Sequence, residues 1–257
     1  MARLLACLLL ALCTTAGAAQ RVVSLAPSLT EIVIEVGGQD RLVGILDAGP
    51  RPSGLEAVPS VGRYGQLDME RLLALNPDLI LLWPGSVGPA QRAQLERLNI
   101  ATLVAEPHSL EDLAAQIEQI AEPLGQGARG QALARGLRQR LADLRERYRR
   151  SVPLRVFYQV WDAPLYTVGG GQIISDALSA CGGRNIFAEL ALPAPQVSLE
   201  SVLQRDPQVI VVPNQAQANA WGKWPIRGRV IVGDPGIERP SGQMIEALSR
   251  LCERINP

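Results

Sequence analysis

The chain has 257 residues, with 25 Lys and Arg against 25 Asp and Glu, and therefore no formal net charge at pH 7. Because there is no basic surplus, the composition disfavours a nucleic-acid partner or an anionic membrane surface. The length is sufficient for one large domain, or for two lobes of ordinary size, with a buried core.

The first residues have the pattern of a cleaved secretory signal peptide. A single positive charge at Arg3 precedes the apolar run Leu4–Cys13, and small residues then lead to an Ala-x-Ala cleavage site. A membrane anchor is the first alternative, but a spanning helix needs about 20 apolar residues. Lipidation of Cys13 is the second, but a bulky leucine precedes it where lipid-attachment signals have a small residue. We predict a signal peptide at residues 1–19 and export to the periplasm.

Two cysteines remain once the predicted signal peptide is removed. They are Cys181 and Cys252, which lie 71 positions apart. In an exported protein such a pair favours a disulfide over a metal or catalytic site. Chain entropy would give a disulfide that closes this loop a stabilisation of about 4 kcal/mol. The alternative is two separate buried thiols.

Strand-like and helix-like stretches alternate in the N-terminal half, which predicts a parallel sheet. The predicted strands are Arg21–Leu25, Leu42–Leu46, Leu79–Trp83 and Thr102–Val104. The predicted helices begin at Ser28, Asp68, Gln91 and Ser109.

A long amphipathic helix is predicted over Ala128–Arg150, because leucines recur every three to four residues among many arginines and no proline interrupts them. It would have about 23 residues and measure about 35 Å. A further strand, Arg155–Val160, follows. The expected fold is α/β, with two βα lobes at residues 20–126 and 152–257 and a parallel sheet in each. One connecting helix at 127–151 would join them, with a ligand cleft between the lobes.

Two segments 130 positions apart, Leu67–Ile80 and Val197–Ile210, share one pattern. Each has a capping residue, a glutamate two positions later, a helix, an Asn-Pro or Asp-Pro stop and an apolar strand. Many α/β proteins contain such units, and solvated acids are common at the start of a helix, but Glu70 and Glu200 fall in the same register of the two units. We interpret the pattern as a helix-turn-strand unit used once in each lobe.

The motifs of catalysis and metal binding are missing from the sequence. His108 is the only histidine, which disfavours a nitrogen-rich metal site and a Ser-His-Asp triad. Gly169–Gly171 lacks the lysine of a phosphate-binding loop and is interpreted as a turn. We predict no catalytic residue, no metal and no resident cofactor. The remaining enzymatic alternative would use cleft carboxylates such as Asp234 as general acid and base.

Aromatic residues make up only 4% of the chain, so their positions are informative. Tyr64 precedes a predicted helix, and Trp83 and Trp161 each end a predicted strand. Strand ends that face the loops are where open α/β sheets bind ligands. The three aromatic side chains therefore favour an apolar, planar ligand, although each taken alone is more typical of a core or rim residue. Trp221 and Trp224 lie in a polar stretch and are interpreted as loop packing.

At this point the sequence resembles the periplasmic cobalamin-binding proteins of bacterial ABC importers, within the helical-backbone class of substrate-binding proteins. The resemblance covers nearly the whole predicted mature chain. The matching segments are Arg21–Glu31, Val61–Leu79, Cys181–Phe187 and Pro195–Ser198. The Cys-Gly-Gly-x-Asn-Ile-Phe string is the most specific of them, because the others also occur in siderophore and haem receptors.

The resemblance implies a monomeric, non-enzymatic binder that captures cobalamin or a related corrinoid as a transported ligand and delivers it to the permease of an ABC importer. It implies that Glu70 and Glu200 dock with arginines of the permease and that Cys181 pairs with Cys252. The ligand-binding residues that it implies are Pro27, Tyr64, Trp83, Trp161, Asp234, Glu238 and Arg239.

The sequence departs from the family pattern at three positions. Ala48, Ala194 and Pro235 stand where a well-known member carries aromatic side chains. The alternative ligands are haem, with Tyr64 as axial ligand, and a ferric siderophore. Haem receptors of this class place that tyrosine one position earlier, where Arg63 stands here.

Overall fold

The computed structural model describes residues 17–49 and 51–257. Most of the predicted signal peptide, together with Cys13, therefore lies outside the described residues. In the described part of the chain, no helix is long and apolar enough to span a membrane.

The first sheet contains six strands in the order β4-β3-β2-β1-β5-β6. Neighbouring strands are parallel, except that β3 and β4 form an antiparallel hairpin. Its strands are β1 (Val22–Ser24), β2 (Leu42–Asp47), β3 (Ser60–Arg63), β4 (Gln66–Leu67), β5 (Leu79–Leu82) and β6 (Ala101–Val104). The accompanying helices are α1 (Pro27–Glu35), α2 (Met69–Ala74), α3 (Pro89–Glu96) and α4 (Leu110–Ala121). All the strands and helices predicted for this half are present.

The second sheet is built around the long strand β7, which is parallel to β10 on one side and to β9 on the other. Beyond β9, the carboxyl end of β7 pairs antiparallel with β8. The strands are β7 (Leu154–Asp162), β8 (Leu165–Thr167), β9 (Gly183–Asn185), β10 (Val209–Val212) and β11 (Arg229–Val232). The helices are α6 (Ile173–Ala180), α7 (Leu199–Gln204), α8 (Gln215–Trp221) and α9 (Met244–Ile255).

Helix α5 (Gly127–Arg147) connects the two sheets and has 21 residues. It is shorter than the predicted helix because Tyr148 leaves helical geometry, with φ −104° and ψ 15°. Pro153 follows soon after and favours extended backbone before it. Leu137, Leu141 and Leu144 are buried along one side of the helix, as their spacing predicts.

One hydrophobic core extends through both lobes. A single cluster of buried side chains contains Val22 and Leu81 of the first sheet, Leu137 of α5, and Val156 and Val211 of the second sheet. Each lobe has a smaller cluster of its own on the other face of its sheet. The lobes therefore share buried apolar surface, which couples their stability. The fold class is confirmed, and the lobe boundaries given above remain predictions.

The predicted repeat is present in both lobes, including the cap of each helix and the turn that follows it. Asp68 Oδ1 accepts from Arg71 N at 3.0 Å to cap α2, and Ser198 Oγ caps α7 in the same way at 3.1 Å. After each helix the residue before proline has positive φ, 44° at Asn76 and 45° at Asp206. Asn and Asp tolerate this left-handed conformation better than other residues with a side chain.

An arginine holds the carboxyl end of each repeated helix. The Nε atom of Arg21 donates to Leu75 O at 2.9 Å, and the Nε atom of Arg155 donates to Asp206 O at 2.8 Å. These arginines lie just before β1 and at the start of β7, the corresponding strands of the two lobes. Both repeated units are therefore anchored to their sheets by the same type of contact.

The C-terminal lobe confirms one prediction about side chains and corrects another. Cys181 and Cys252 form a disulfide that links the end of α6 to α9. The interpretation of Trp221 as loop packing was wrong: it lies on α8, is 5% exposed and packs edge-on against Phe157. Its indole Nε1 donates to Gln159 Oε1 at 2.6 Å, so the indole reaches a polar partner inside the lobe.

Candidate functional site

The aromatic residues of the first lobe stand at the carboxyl edge of its sheet. Tyr64 occupies the turn of the β3–β4 hairpin, and Trp83 directly follows β5. Gly65 N donates to Ser86 O at 3.0 Å, which joins that hairpin to the turn after Trp83. The ring centroids of Tyr64 and Trp83 are consequently 6.0 Å apart, with 43° between the ring planes. Tyr64 is 53% exposed, so its ring remains available to a ligand.

Trp161 stands at the corresponding edge of the second sheet. It lies near the carboxyl end of β7, opposite Tyr166 in the hairpin with β8, and is 59% exposed. Asp234 directly follows Gly233 at the carboxyl end of the parallel strand β11. The structure therefore places the predicted aromatic residues at the carboxyl edges of both sheets, where open α/β folds bind ligands.

A cavity of about 290 Å³ lies between the lobes. Pro27 at the start of α1 lines it together with Ala48, which follows β2, and the second lobe contributes Arg239 and Gln243. Pro27 and Arg239 are thus brought together in one cavity, whereas the three aromatic residues lie elsewhere along the two edges. Because Ala48 has only a methyl group, the wall at this position is open where an aromatic side chain would fill it.

Two acids of α1 bind the second lobe directly. Glu31 Oε1 contacts Arg239 Nη1 at 2.9 Å. Glu35 accepts two backbone hydrogen bonds, from Gly242 N at 2.8 Å and from Gln243 N at 3.0 Å. Burial raises the pKa of the Glu35 carboxyl above its ordinary value, although the two backbone hydrogen bonds oppose the rise.

Sequence reasoning missed this contact between the lobes, but a signal was present. Glu31 and Glu35 are four positions apart on one helix, where like charges face each other and repel. Two such acids in an otherwise apolar helix indicate that partners come from elsewhere in the fold. The sequence could not identify those partners, because they lie more than 200 positions away.

The polar residues predicted for the second lobe are engaged with other protein groups. Asp234 Oδ2 accepts from Arg250 at 2.6 Å, and this hydrogen bond lowers the pKa of the Asp234 carboxyl. Glu238 Oε1 accepts from the hydroxyl of Tyr158 at 2.9 Å. Burial of Tyr158, with Glu238 beside it, raises the pKa of the phenol. A ligand that contacts Asp234, Glu238 or Arg239 would therefore either bind beside these hydrogen bonds or displace them. Ligand contact by these three residues remains a prediction.

The other two departures from the family pattern lie on the second lobe. Ala194 is exposed in the segment between β9 and α7, and Pro235 begins a short 3₁₀ turn that ends at Glu238. Asp234 Oδ1 accepts from Gly236 N at 3.0 Å and holds this turn. With Ala48 on the first lobe, both sides of the cleft offer less aromatic surface than the family pattern predicts.

The predicted docking residues occupy equivalent places on the two lobes. Glu70 lies in the first turn of α2 and Glu200 in the first turn of α7, and both are exposed. A carboxylate at a helix amino terminus is stabilised by the helix dipole. Neither carboxylate takes part in an ion pair with another described residue.

Within residues 17–49 and 51–257, no three His, Cys, Asp or Glu side chains are grouped closely enough to hold a metal ion. His108 lies in the loop before α4, where its backbone N donates to Asp112 Oδ2 at 3.1 Å. This contact is part of the start of the helix, where Ser109 and Asp112 form a reciprocal capping box.

Residues 22–224 match the sequence profile of periplasmic binding proteins. The chain belongs to the periplasmic binding protein family. A curated vitamin B12-binding protein of Yersinia pestis is 35% identical to this periplasmic binding protein over an alignment of 259 positions, which covers 98% of the chain and 92% of that relative. The resemblance found in the sequence is thereby confirmed.

Solved structures agree with this assignment. The periplasmic vitamin B12 binding protein BtuF of Vibrio cholerae has a TM-score of 0.83 and 34% identity, with 91% of this chain and 96% of that chain covered. A periplasmic heme binding protein from Pseudomonas aeruginosa has a TM-score of 0.76 and 29% identity, with 92% of each chain covered. The two-lobe architecture is common to both, and the protein named for vitamin B12 has the higher identity.

Proposed function

We propose that this periplasmic binding protein captures a cobalamin-type corrinoid in the cleft between its lobes. The observation that carries the proposal is the exposed ring of Tyr64 beside the half-buried Trp83 at one sheet edge, with the exposed Trp161 at the edge of the other lobe. Similarity to proteins named for vitamin B12 supports it, at 34% to 35% identity over at least 91% of the chain.

The shape and chemistry of the cleft suit a large, flat ligand. Aromatic faces favour stacked or edge-on contact with a planar apolar macrocycle. The cavity of about 290 Å³ that Pro27 and Arg239 line is far smaller than a corrinoid, so it would receive only one edge of the ligand. The amide side chains of a corrin are hydrogen-bonding groups, and the Arg239 guanidinium is a donor for their carbonyl oxygens.

Haem is the competing ligand because a haem-binding protein is 29% identical to the chain and because Tyr64 offers an exposed phenol. Both ligands are planar, so stacking alone does not separate them. A phenol that ligates iron would, however, be essential for haem binding, whereas a phenol that only stacks could be replaced by phenylalanine. Tyr64→Phe therefore distinguishes the two hypotheses.

The test is isothermal titration of the purified mature protein with cyanocobalamin, haemin and ferrichrome in parallel. We expect one-to-one, submicromolar binding of cyanocobalamin alone. Trp83→Ala should weaken that binding by roughly tenfold, because it removes an aromatic contact. Val152→Ala is the control, since Val152 is 77% exposed and precedes the amino end of β7, away from both carboxyl edges. If only haemin binds, and if Tyr64→Phe abolishes that binding, the ligand is haem rather than a corrinoid.

Delivery to an ABC importer completes the proposed function. Glu70 and Glu200 would dock with cationic side chains of the permease, one on each lobe. The protein would reach the periplasm through cleavage of a signal peptide at residues 1–19 and act as a monomer without catalysis. Reversing both charges, Glu70→Lys with Glu200→Lys, should abolish uptake while leaving ligand affinity unchanged. Undiminished uptake by the double variant would reject the docking role.

A further inference from the structure

Each proposed docking glutamate is followed one helical turn later by a leucine. Leu73 lies three positions after Glu70 on α2, and Leu203 lies three positions after Glu200 on α7. Residues separated by three positions share one face of a helix. The two leucines are also 130 positions apart, the period of the repeat. The repeated helices therefore present the same acidic and apolar pair on both lobes.

Neither leucine is needed for the core of its lobe. Leu73 is 41% exposed and Leu203 is partly exposed, and neither belongs to any of the three hydrophobic clusters formed by the described residues. The preceding residues behave differently, because Leu72 and Val202 are fully buried. Burial of those neighbours explains why the helices pack on the sheets, but it does not explain a leucine on the outer side of each helix.

The arginines closest in sequence to Glu70 and Glu200 are paired with other acids. On α2, Arg71 pairs with Asp68 at 3.1 Å rather than with Glu70. On α7, the nearby Arg205 pairs with Glu189. A partner that neutralises Glu70 and Glu200 must therefore bring its own cations, and the adjacent leucines would meet apolar side chains of the same partner.

The pairs are also held rigidly. Each helix is capped at its start by Asp68 or Ser198, and an arginine, Arg21 or Arg155, holds its carboxyl end. A surface fixed before binding loses less conformational entropy when it docks. Equivalent anchoring at both ends indicates that both helices are presented in a fixed orientation.

We propose that the docking surface of each lobe is a glutamate–leucine pair, Glu70 with Leu73 and Glu200 with Leu203. Its partner is the permease of the importer, which would place a cationic side chain on each glutamate and an apolar side chain against each leucine. This inference rests on the proposed function. It adds an apolar contact on each lobe to the electrostatic contact made by the glutamate.

The experiment measures the affinity of the corrinoid-loaded protein for the vitamin B12 importer of the source bacterium, reconstituted in lipid nanodiscs. Leu73→Ser and Leu203→Ser should each weaken this affinity by about five- to tenfold. Leu73→Met should retain it, because the apolar surface is kept. Val152→Ser is the matched control, since Val152 is 77% exposed and lies outside both helices. Affinity for cyanocobalamin and thermal unfolding should be the same in all these variants.

A second measurement separates failure of this inference from failure of docking itself. If Leu73→Ser and Leu203→Ser bind the importer as the unmodified protein does, while Glu70→Lys with Glu200→Lys does not bind, the apolar half of the surface is refuted and the electrostatic half stands. If the glutamate variant also binds normally, the docking role of both helices is refuted. Raising the salt concentration should weaken the wild-type complex and the leucine variants in parallel, because only the ionic contacts are screened.

Discussion

Glu31 and Arg239 join the two lobes across 208 sequence positions, with Glu31 Oε1 2.9 Å from Arg239 Nη1. The Glu31 side chain is only 11% exposed, whereas half of the arginine side chain remains accessible. The contact stands at the cavity between the lobes, which both residues line. The contact therefore holds the two lobes together at the proposed ligand site.

Removing the arginine should destabilise the protein more than removing an ordinary surface arginine. Arg239→Ala leaves a largely buried carboxylate without its cation, and we expect a loss of about 1 to 3 kcal/mol in the free energy of unfolding. Arg71→Ala, which breaks an exposed pair with Asp68, should cost less than about 1 kcal/mol. Urea denaturation at pH 7 measures both. Equal losses would mean that the contact between the lobes is no stronger than a surface pair.

Glu35 should make a pH-dependent contribution to stability. Because burial raises its pKa in the folded protein above the ordinary value of 4.5, ionising this carboxyl costs more in the folded state than in the unfolded chain. As the pH falls from the raised value towards 4.5, the folded form takes up the proton first and that cost is relieved. Wild-type protein should therefore gain stability relative to Glu35→Gln over this interval. Urea denaturation of both proteins from pH 7 to pH 4 tests this, and a constant difference would contradict it.

Loss of the disulfide should lower stability by about 4 kcal/mol, because the bond closes a long loop in the unfolded chain. The double variant Cys181→Ala with Cys252→Ala measures this loss by thermal or urea unfolding. Dithiothreitol should shift the unfolding of the wild-type protein and leave the double variant unchanged. A shift in both proteins would mean that the reductant acts elsewhere.

The turns of the repeat should respond alike to the same substitutions. Asn76→Ala and Asp206→Ala keep a β-carbon at positive φ but remove the polar side chain that makes this conformation tolerable, and each should cost about 1 kcal/mol. Glycine has no such penalty, so Asn76→Gly should be close to neutral. Asp206 variants should lose slightly more than Asn76 variants, because Arg155 Nη2 also contacts Asp206 Oδ2 at 2.9 Å. An alanine variant as stable as its glycine counterpart would argue against strain at that turn.

Features that depend on local sequence were predicted well. Capping by Asp68, Ser109 and Ser198 appears where each helix begins, because a side-chain oxygen and a nearby backbone amide suffice. The repeat was visible for the same reason, since each unit is a continuous stretch of about fourteen residues that packs on its own strand.

Features that depend on distant contacts were not predicted. Trp221 was misassigned because its polar sequence neighbours indicate a loop, whereas Phe157 and Gln159 on another strand bury its ring. The partner of Glu31 could not be predicted, since Arg239 is 208 positions away in sequence. In both cases the deciding partner is brought near by tertiary packing, which outweighs local pattern.

Helix α9 is tied to the rest of the protein in two ways. A disulfide joins its Cys252 to Cys181 at the end of α6. Its Leu251 and Ile255 belong to the cluster of buried side chains that also contains residues of the first sheet. Breaking the disulfide should therefore let α9 detach locally before the protein unfolds as a whole, and because the core is shared, that loosening would expose apolar surface of both lobes.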